Sequence, residues 1–149
     1  MSLKEKINSD LKDAMKSGDK TRLNTIRSIR ALILEFEKSG SGKEFNEEEE
    51  IKLLSSAAKK RRESIEEFSK AGRAEMAAQE QAELDIITTY LPKQLTPEEL
   101  ETEIKKLATE IGASGKKDFP KLMPLAAKTF KGKAEGKLIK EIVEKVLGD

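Results

Sequence analysis

Lysines 131, 133 and 137, set around Gly132 and Gly136, are the residues of this chain best suited to chemistry, and that chemistry is the binding of phosphate. A helix starting near Ala134 would expose backbone N–H groups and a partial positive charge at its beginning. Glycines at 132 and 136 remove side chains where an anion would approach the backbone. Lys128 and Lys140 extend the strip along the two adjoining helices, and Lys116, Lys117 and Lys121 lie just upstream. From Lys116 to Lys145 nine lysines stand against four carboxylates, in a chain of 149 residues whose net charge is +1. From Ala74 to Glu110 the balance reverses, with three lysines and nine carboxylates. Charge segregated in this way bears on partners rather than on fold. The competing reading of the same lysines is a tight helix–helix connection that is merely solvated, or one neutralised by the acidic stretch.

Other chemistries find little support. A nucleotide P-loop needs four residues between its glycines, Ser or Thr after the lysine, and a strand upstream. Here three residues separate Gly132 from Gly136, Leu138 follows Lys137, and no strand is expected. Histidine and cysteine are both absent, which removes the commonest general base, the commonest metal ligand and the best thiol nucleophile. Ser55-Ser56 followed by Lys59 resembles a Ser-x-x-Lys motif, but it sits inside a charged helix without supporting elements. Glu47 to Glu50 is read as the first turn of a helix capped by Asn46, with Glu49 closing a capping box, rather than as a metal site. No segment offers an Arg-, Asn- and Gln-lined helix for a DNA major groove. Lysines with few aromatics suit the backbone of a folded nucleic acid better than stacking on exposed bases. The expectation is therefore no catalytic residue, no metal and no cofactor.

The elements that must position these lysines are helices. Charged residues make up 38% of the chain and apolar ones 36%, against roughly 25% charged in an average globular protein. Modest apolar content spread over thin stripes suits amphipathic helices. Ser2 with Glu5 opens a first helix carrying Leu3, Ile7, Leu11, Ala14 and Met15 at helical spacing, and Ser17-Gly18 ends it. Asp19 caps a second, with Leu23, Ile26, Ile29, Ile33 and Phe36 inward. The third runs from Asn46 towards Gly72 and carries Arg61 or Arg62 in its apolar stripe, against a carboxylate. A fourth spans about Ala74 to Tyr90, and Pro92 stops it.

Thr96-Pro97-Glu98-Glu99 is the strongest helix start in the chain, followed by Leu100, Ile104, Leu107 and Ile111 and closed by Gly112. Asp118 is the next expected cap. Pro124 then implies either a kink or a short turn before a helix beginning near Met123. The last helix runs from about Ala134 through Leu138, Ile142, Val146 and Leu147. The fold class expected is all-α: about seven helices and no sheet, a larger N-terminal bundle over residues 1–92 and a small C-terminal helical domain over 93–149. No apolar run approaches the ~20 residues that cross a bilayer, and the N-terminus has no apolar signal-peptide core. Together with the missing cysteines this leads to the expectation of a cytoplasmic protein without a membrane partner.

Several segments, in order, resemble the YqeY family: DLKDAMKSGDKTRLNTIRSIRA, KKRRESIEEFSKAGRAE, YLPKQL and KDFPKLMPLAAKTFKGKAEGKLIKEIV. That family is akin to the C-terminal tail of the GatB subunit of glutamine-dependent tRNA amidotransferase, and related domains are attached to some glutaminyl-tRNA synthetases. The resemblance implies an all-helical protein whose C-terminal part grips the outer body of tRNA. By position it implies Lys116, Lys117, Lys121, Lys131, Lys133 and Lys137 as contacts, with Gly132 and Gly136 shaping the bend. The chain departs from the family pattern at Pro120, where glycine is typical. It also departs at Lys133 for arginine, at Glu135 for aspartate, and near Lys140 for asparagine. Lysine is a less exacting phosphate partner than arginine. The expected function is a non-catalytic accessory protein of tRNA metabolism. The alternative is a module docking on a synthetase, an amidotransferase or another tRNA-handling protein. Any carbon–nitrogen ligase label would reflect kinship, since the chain has no amidase or kinase domain.

Overall fold

The computed structural model describes residues 1–148. They form seven α-helices: α1 (Leu3–Ser17), α2 (Lys20–Lys38), α3 (Glu47–Lys70), α4 (Ala74–Thr88), α5 (Pro97–Ile111), α6 (Phe119–Thr129) and α7 (Gly136–Leu147). A single 3₁₀ turn, Lys116–Asp118, precedes α6. There is no strand among the described residues, only an isolated bridge between Lys131 and Ala134. The all-α class expected from the sequence is the class observed.

The helix starts follow local chemistry. The hydroxyl of Ser2 accepts from the Glu5 N–H at 3.2 Å, and the Glu5 carboxylate accepts in return from the Ser2 N–H at 3.3 Å. Asp19 accepts from the Arg22 N–H, Asn46 from the Glu49 N–H, and Thr96 from the Glu99 N–H. Each satisfies an amide that the helix itself leaves without an acceptor. The capping box expected at Asn46 is only half formed. The Glu49 carboxylate turns instead to Lys52 at 3.4 Å and Lys43 at 4.0 Å, because charged partners compete successfully with one backbone amide.

The chain divides into two compact units, Met1–Leu91 and a second from Pro92 onward. Each has its own apolar core. In the first, Leu3, Ile7, Ile26, Ile29, Ile33, Leu54, Ala58 and Ile87 are buried where α1 packs on α2 and where α2 and α3 pack on α4. Thr25 is also buried, which the apolar periodicity did not anticipate; its hydroxyl bonds back to the Thr21 carbonyl at 2.8 Å and so needs no other partner. Met15, expected inward, is 52% exposed. Arg61 is the guanidinium that enters the stripe of α3, lying 3.5 Å from Glu80 and 3.8 Å from Glu83 on α4.

In the second unit, Leu100, Ile104 and Ala108 of α5, Leu122 and Ala126 of α6, and Ile139, Ile142, Val143 and Leu147 of α7 share one core with Phe130. Ile111, expected inward, is 38% exposed. The second alternative for Pro124, a turn before a helix beginning near Met123, is not realised: α6 runs through it from Phe119 to Thr129. Pro120 and Pro124 are both exposed, so the carbonyl deprived of its helical donor meets water. Asp118 stands at the N-cap of α6 but makes no side-chain cap there. Its carboxylate turns back to accept from the Ser114 N–H at 2.9 Å.

Candidate nucleic-acid interface

The connection between α6 and α7 is a tight turn. The Lys133 N–H donates to the Phe130 carbonyl at 2.9 Å, and Gly132 has φ 80°. No non-glycine residue in the described chain has a positive φ, so this is type II geometry, which needs glycine at its third position. Gly132 is buried, whereas Lys131 and Lys133 on either side are exposed.

A segment before α5 holds this turn in place. The side-chain amide of Gln94 donates to the Gly132 carbonyl at 2.6 Å and to the Pro92 carbonyl at 2.8 Å. Both partners are acceptors, so only the amide nitrogen can point at them. The Leu95 N–H donates to the Lys133 carbonyl at 2.8 Å. The carbonyls of Gly132 and Lys133 are therefore bonded within the unit, and the ammonium groups are what the turn offers outside.

Lys128 in the last turn of α6, Lys131, Gly132 and Lys133 in the connection, and Gly136 and Lys137 at the start of α7 come together by chain position. Glu135 occupies the N-cap of α7 with extended backbone, yet its side chain gives no capping bond. Glutamate is one methylene longer than the aspartate or asparagine that normally caps. The first-turn amides of α7 are thus not taken up by a side-chain cap. A Cβ built on Gly136 would meet nothing within 4 Å, so its small size answers no crowding inside the unit.

Lys116 and Lys117 lie elsewhere, on the 3₁₀ turn before α6. That helix has 11 residues, which places its two ends about 15 Å apart. Lys121 stands near that same far end. The carboxylate of Asp118 sits among these residues and is held below the usual range, first by the Ser114 N–H against the opposing effect of burial, then by Lys121 and Lys117. Lys140 shares a surface depression with Lys116, Glu141, Glu144 and Lys145, an environment of mixed sign. Lys133 lines a smaller one with Glu99, Glu103 and Phe130. Among the described residues no ion pair joins Lys128, Lys131, Lys133, Lys137 or Lys140 to a carboxylate. The acidic stretch does reach the basic one at Lys145, whose ammonium lies 3.1 Å from Glu101. Gln94 and Leu95 are the residues that sequence reasoning missed. They sit inside YLPKQL, but nothing local shows that its amide bonds a glycine 38 positions later.

Fold and bend together define an all-helical protein with a small C-terminal unit of three α-helices closed by a lysine-lined turn. The chain belongs to the YqeY family, whose profile, described as Yqey-like protein, matches residues 4–147. Among its relatives is "Altered inheritance of mitochondria protein 41, mitochondrial" of Pyrenophora tritici-repentis (strain Pt-1C-BFP), 32% identical over 146 residues, covering 96% of this chain and 80% of that one. The protein of the same name in Lachancea thermotolerans is 33% identical over 110 residues, with 72% and 59% covered. That of Saccharomyces cerevisiae (strain YJM789) is 33% identical over 103 residues, with 68% and 56% covered. The chain thus spans less than two thirds of the length of the latter two.

Neither the family description nor these names carries a catalytic activity. The relatives are named as mitochondrial proteins, which overturns the expectation of a cytoplasmic location. Missing cysteines exclude a disulfide and specify no compartment. Mitochondrial transit peptides are amphipathic rather than apolar, so the lack of an apolar N-terminal core never tested for them.

Proposed function

We propose that this protein is a non-catalytic accessory factor that contacts the backbone of tRNA or another structured RNA through the lysine-rich bend between α6 and α7. The observation that carries this reading is the set of exposed lysines, Lys128, Lys131, Lys133 and Lys137, which form no ion pair among the described residues, around a turn whose Gly132 and Lys133 carbonyls are bonded inward. Ammonium groups presented beside the amide-rich start of α7 attract phosphate oxygens without reading sequence. Lys116, Lys117 and Lys121 form a weaker flank, because Asp118 already compensates part of the charge of Lys117 and Lys121. Within the proposal the compartment is taken from the relatives, a mitochondrial one.

Titrating tRNA into the purified chain across a series of salt concentrations tests this. Contact with about 4–6 phosphates gives a log–log slope of roughly −3 to −5. Replacing Lys131, Lys133 and Lys137 together by glutamine flattens that slope, and replacing Lys117 and Lys121 flattens it less. Absent tRNA affinity, or a slope unchanged in the triple variant, defeats the reading. Turnover of glutamine, ATP and misacylated tRNA by the chain alone would defeat its non-catalytic part. A second reading, docking on a tRNA-handling protein, is favoured by the mixed-sign surroundings of Lys133 and Lys140, which suit a charge-complementary protein surface. A salt-resistant protein complex without RNA affinity would select it.

A further inference from the structure

The geometry points to Gln94 as the positioning residue of the lysine bend: its amide holds the Gly132 carbonyl inside the unit and thereby presets Lys131 and Lys133 for an RNA backbone, an inference that rests on the function proposed above. One nitrogen bridges two carbonyls, Gly132 at 2.6 Å and Pro92 at 2.8 Å. The neighbouring Leu95 N–H takes the Lys133 carbonyl. Two consecutive peptide units of the turn are thus anchored to the segment entering α5, at the positions that carry the exposed lysines. The electrostatic effect follows from which atoms are used. A carbonyl oxygen facing outward beside these lysines would repel a phosphate; here the Gly132 and Lys133 oxygens are each engaged by a donor. Gln94 itself is half-buried and uncharged, so it adds no cation to the surface. Its contribution is preorganisation, which lowers the ordering cost of binding without adding a contact.

Gln94→Met keeps the side-chain length and removes the donor, and Gln94→Glu keeps the shape and replaces the donor with a repelling oxygen. Both are compared with the parent by tRNA titration over salt, at a temperature where circular dichroism shows the variants folded. The expected result is an affinity about tenfold lower, equivalent to about one lost hydrogen bond, with the salt slope unchanged because every lysine remains. A merely structural role would lower the melting temperature and leave affinity at the working temperature intact, and that result overturns the inference while the proposed function stands. No tRNA affinity in the parent overturns both. Should neither variant fold, amide exchange on the parent decides. The Leu95 and Lys133 amides must already be protected before tRNA is added, as a preset turn requires, and fast exchange there rejects the inference.

Discussion

Tyr90 donates its phenolic hydrogen to Asp10 across 2.5 Å, joining the residues after α4 to α1 over 80 positions of sequence. Arg22 of α2 lies 3.9 Å from the same carboxylate, and the Lys6 ammonium stands 5.2 Å from the Tyr90 ring centre. Two helices and the segment following α4 thus meet around one tyrosine and one carboxylate. Burial, reinforced by the bond to Asp10, pushes the phenol well above its ordinary value of 10.0. A raised folded value means that the stabilisation is complete below the unfolded pKa and is lost as pH rises through the folded one. The first unit should therefore lose stability in alkali, starting near pH 10. Tyr90→Phe should cost about 1.5 kcal/mol at neutral pH, as for a hydrogen bond to a charged acceptor, and should blunt the alkaline loss. Urea melts of both proteins at pH 7 and pH 10.5 check this; equal stability at pH 7 would contradict it.

Arg61 sits between two carboxylates of α4, and its Nε has no hydrogen-bond acceptor despite lying 3.5 Å from Glu80. Burial raises the Glu83 pKa above 4.5, Arg61 opposes that, and Glu80 adds to it. A raised carboxyl favours the folded state at low pH, and that contribution fades as pH climbs through the folded value. Arg61→Met should cost about 2 kcal/mol at pH 7 by leaving two carboxylates uncompensated at a partly buried contact. The deficit should shrink towards pH 5, as Glu83 takes up its proton. Thermal melts over that range measure it, and a deficit independent of pH would reject the account.

The Asp118 carboxyl is lowered from 3.8, chiefly by the Ser114 N–H, with Lys121 and Lys117 assisting. Stability from a depressed carboxyl is present above its unfolded pKa and disappears as pH falls through the folded one. The second unit should therefore weaken below about pH 4. Asp118→Ala should lower its melting temperature at pH 7 and remove that part of its acid sensitivity. Asp118→Asn, which keeps an acceptor oxygen, should fall between the two. Identical melting of all three would show that the Ser114 bond contributes nothing.

Gly132 and Gly136 look equivalent in the sequence, yet they should respond oppositely to alanine. Gly132 is buried with φ 80°, so Gly132→Ala forces a left-handed conformation and should cost about 1–2 kcal/mol. Gly136 opens α7 with space around its would-be Cβ, and Gly136→Ala should stabilise by about 0.5 kcal/mol through reduced freedom of the unfolded chain. If phosphate approaches the backbone there, the same change should weaken tRNA binding while raising the melting temperature. Chemical denaturation paired with the titration separates the two effects.

Much of this fold was written locally. Ser2, Asp19, Asn46 and Thr96 each begin a helix where their side-chain oxygens meet the amides three residues on, and that interaction depends only on nearby residues. The apolar spacing of Ile26, Ile29 and Ile33, or of Leu100 and Ile104, likewise identifies a buried face before any partner helix is known. A helix start near Met123 did not follow from Pro124, because tolerance of a missing N–H inside a helix depends on whether the freed carbonyl reaches water, which is a property of packing. Met15 and Ile111 continue their helical stripes yet are exposed, because periodicity marks a face of the helix and not how far a partner covers it.

By itself the sequence determined that the chain is helical, that its lysines crowd towards the end, and that histidine and cysteine chemistry is absent. These are properties of composition and of neighbours within one helical turn. Only the tertiary structure decided that Lys131 and Lys133 flank a turn anchored by Gln94, while Lys116, Lys117 and Lys121 belong to the other end of α6 beside Asp118. A hydrogen bond spanning 38 residues leaves no local mark. It exists because α5, α6 and α7 bury one apolar core, and that burial brings the segment before α5 against the α6–α7 turn.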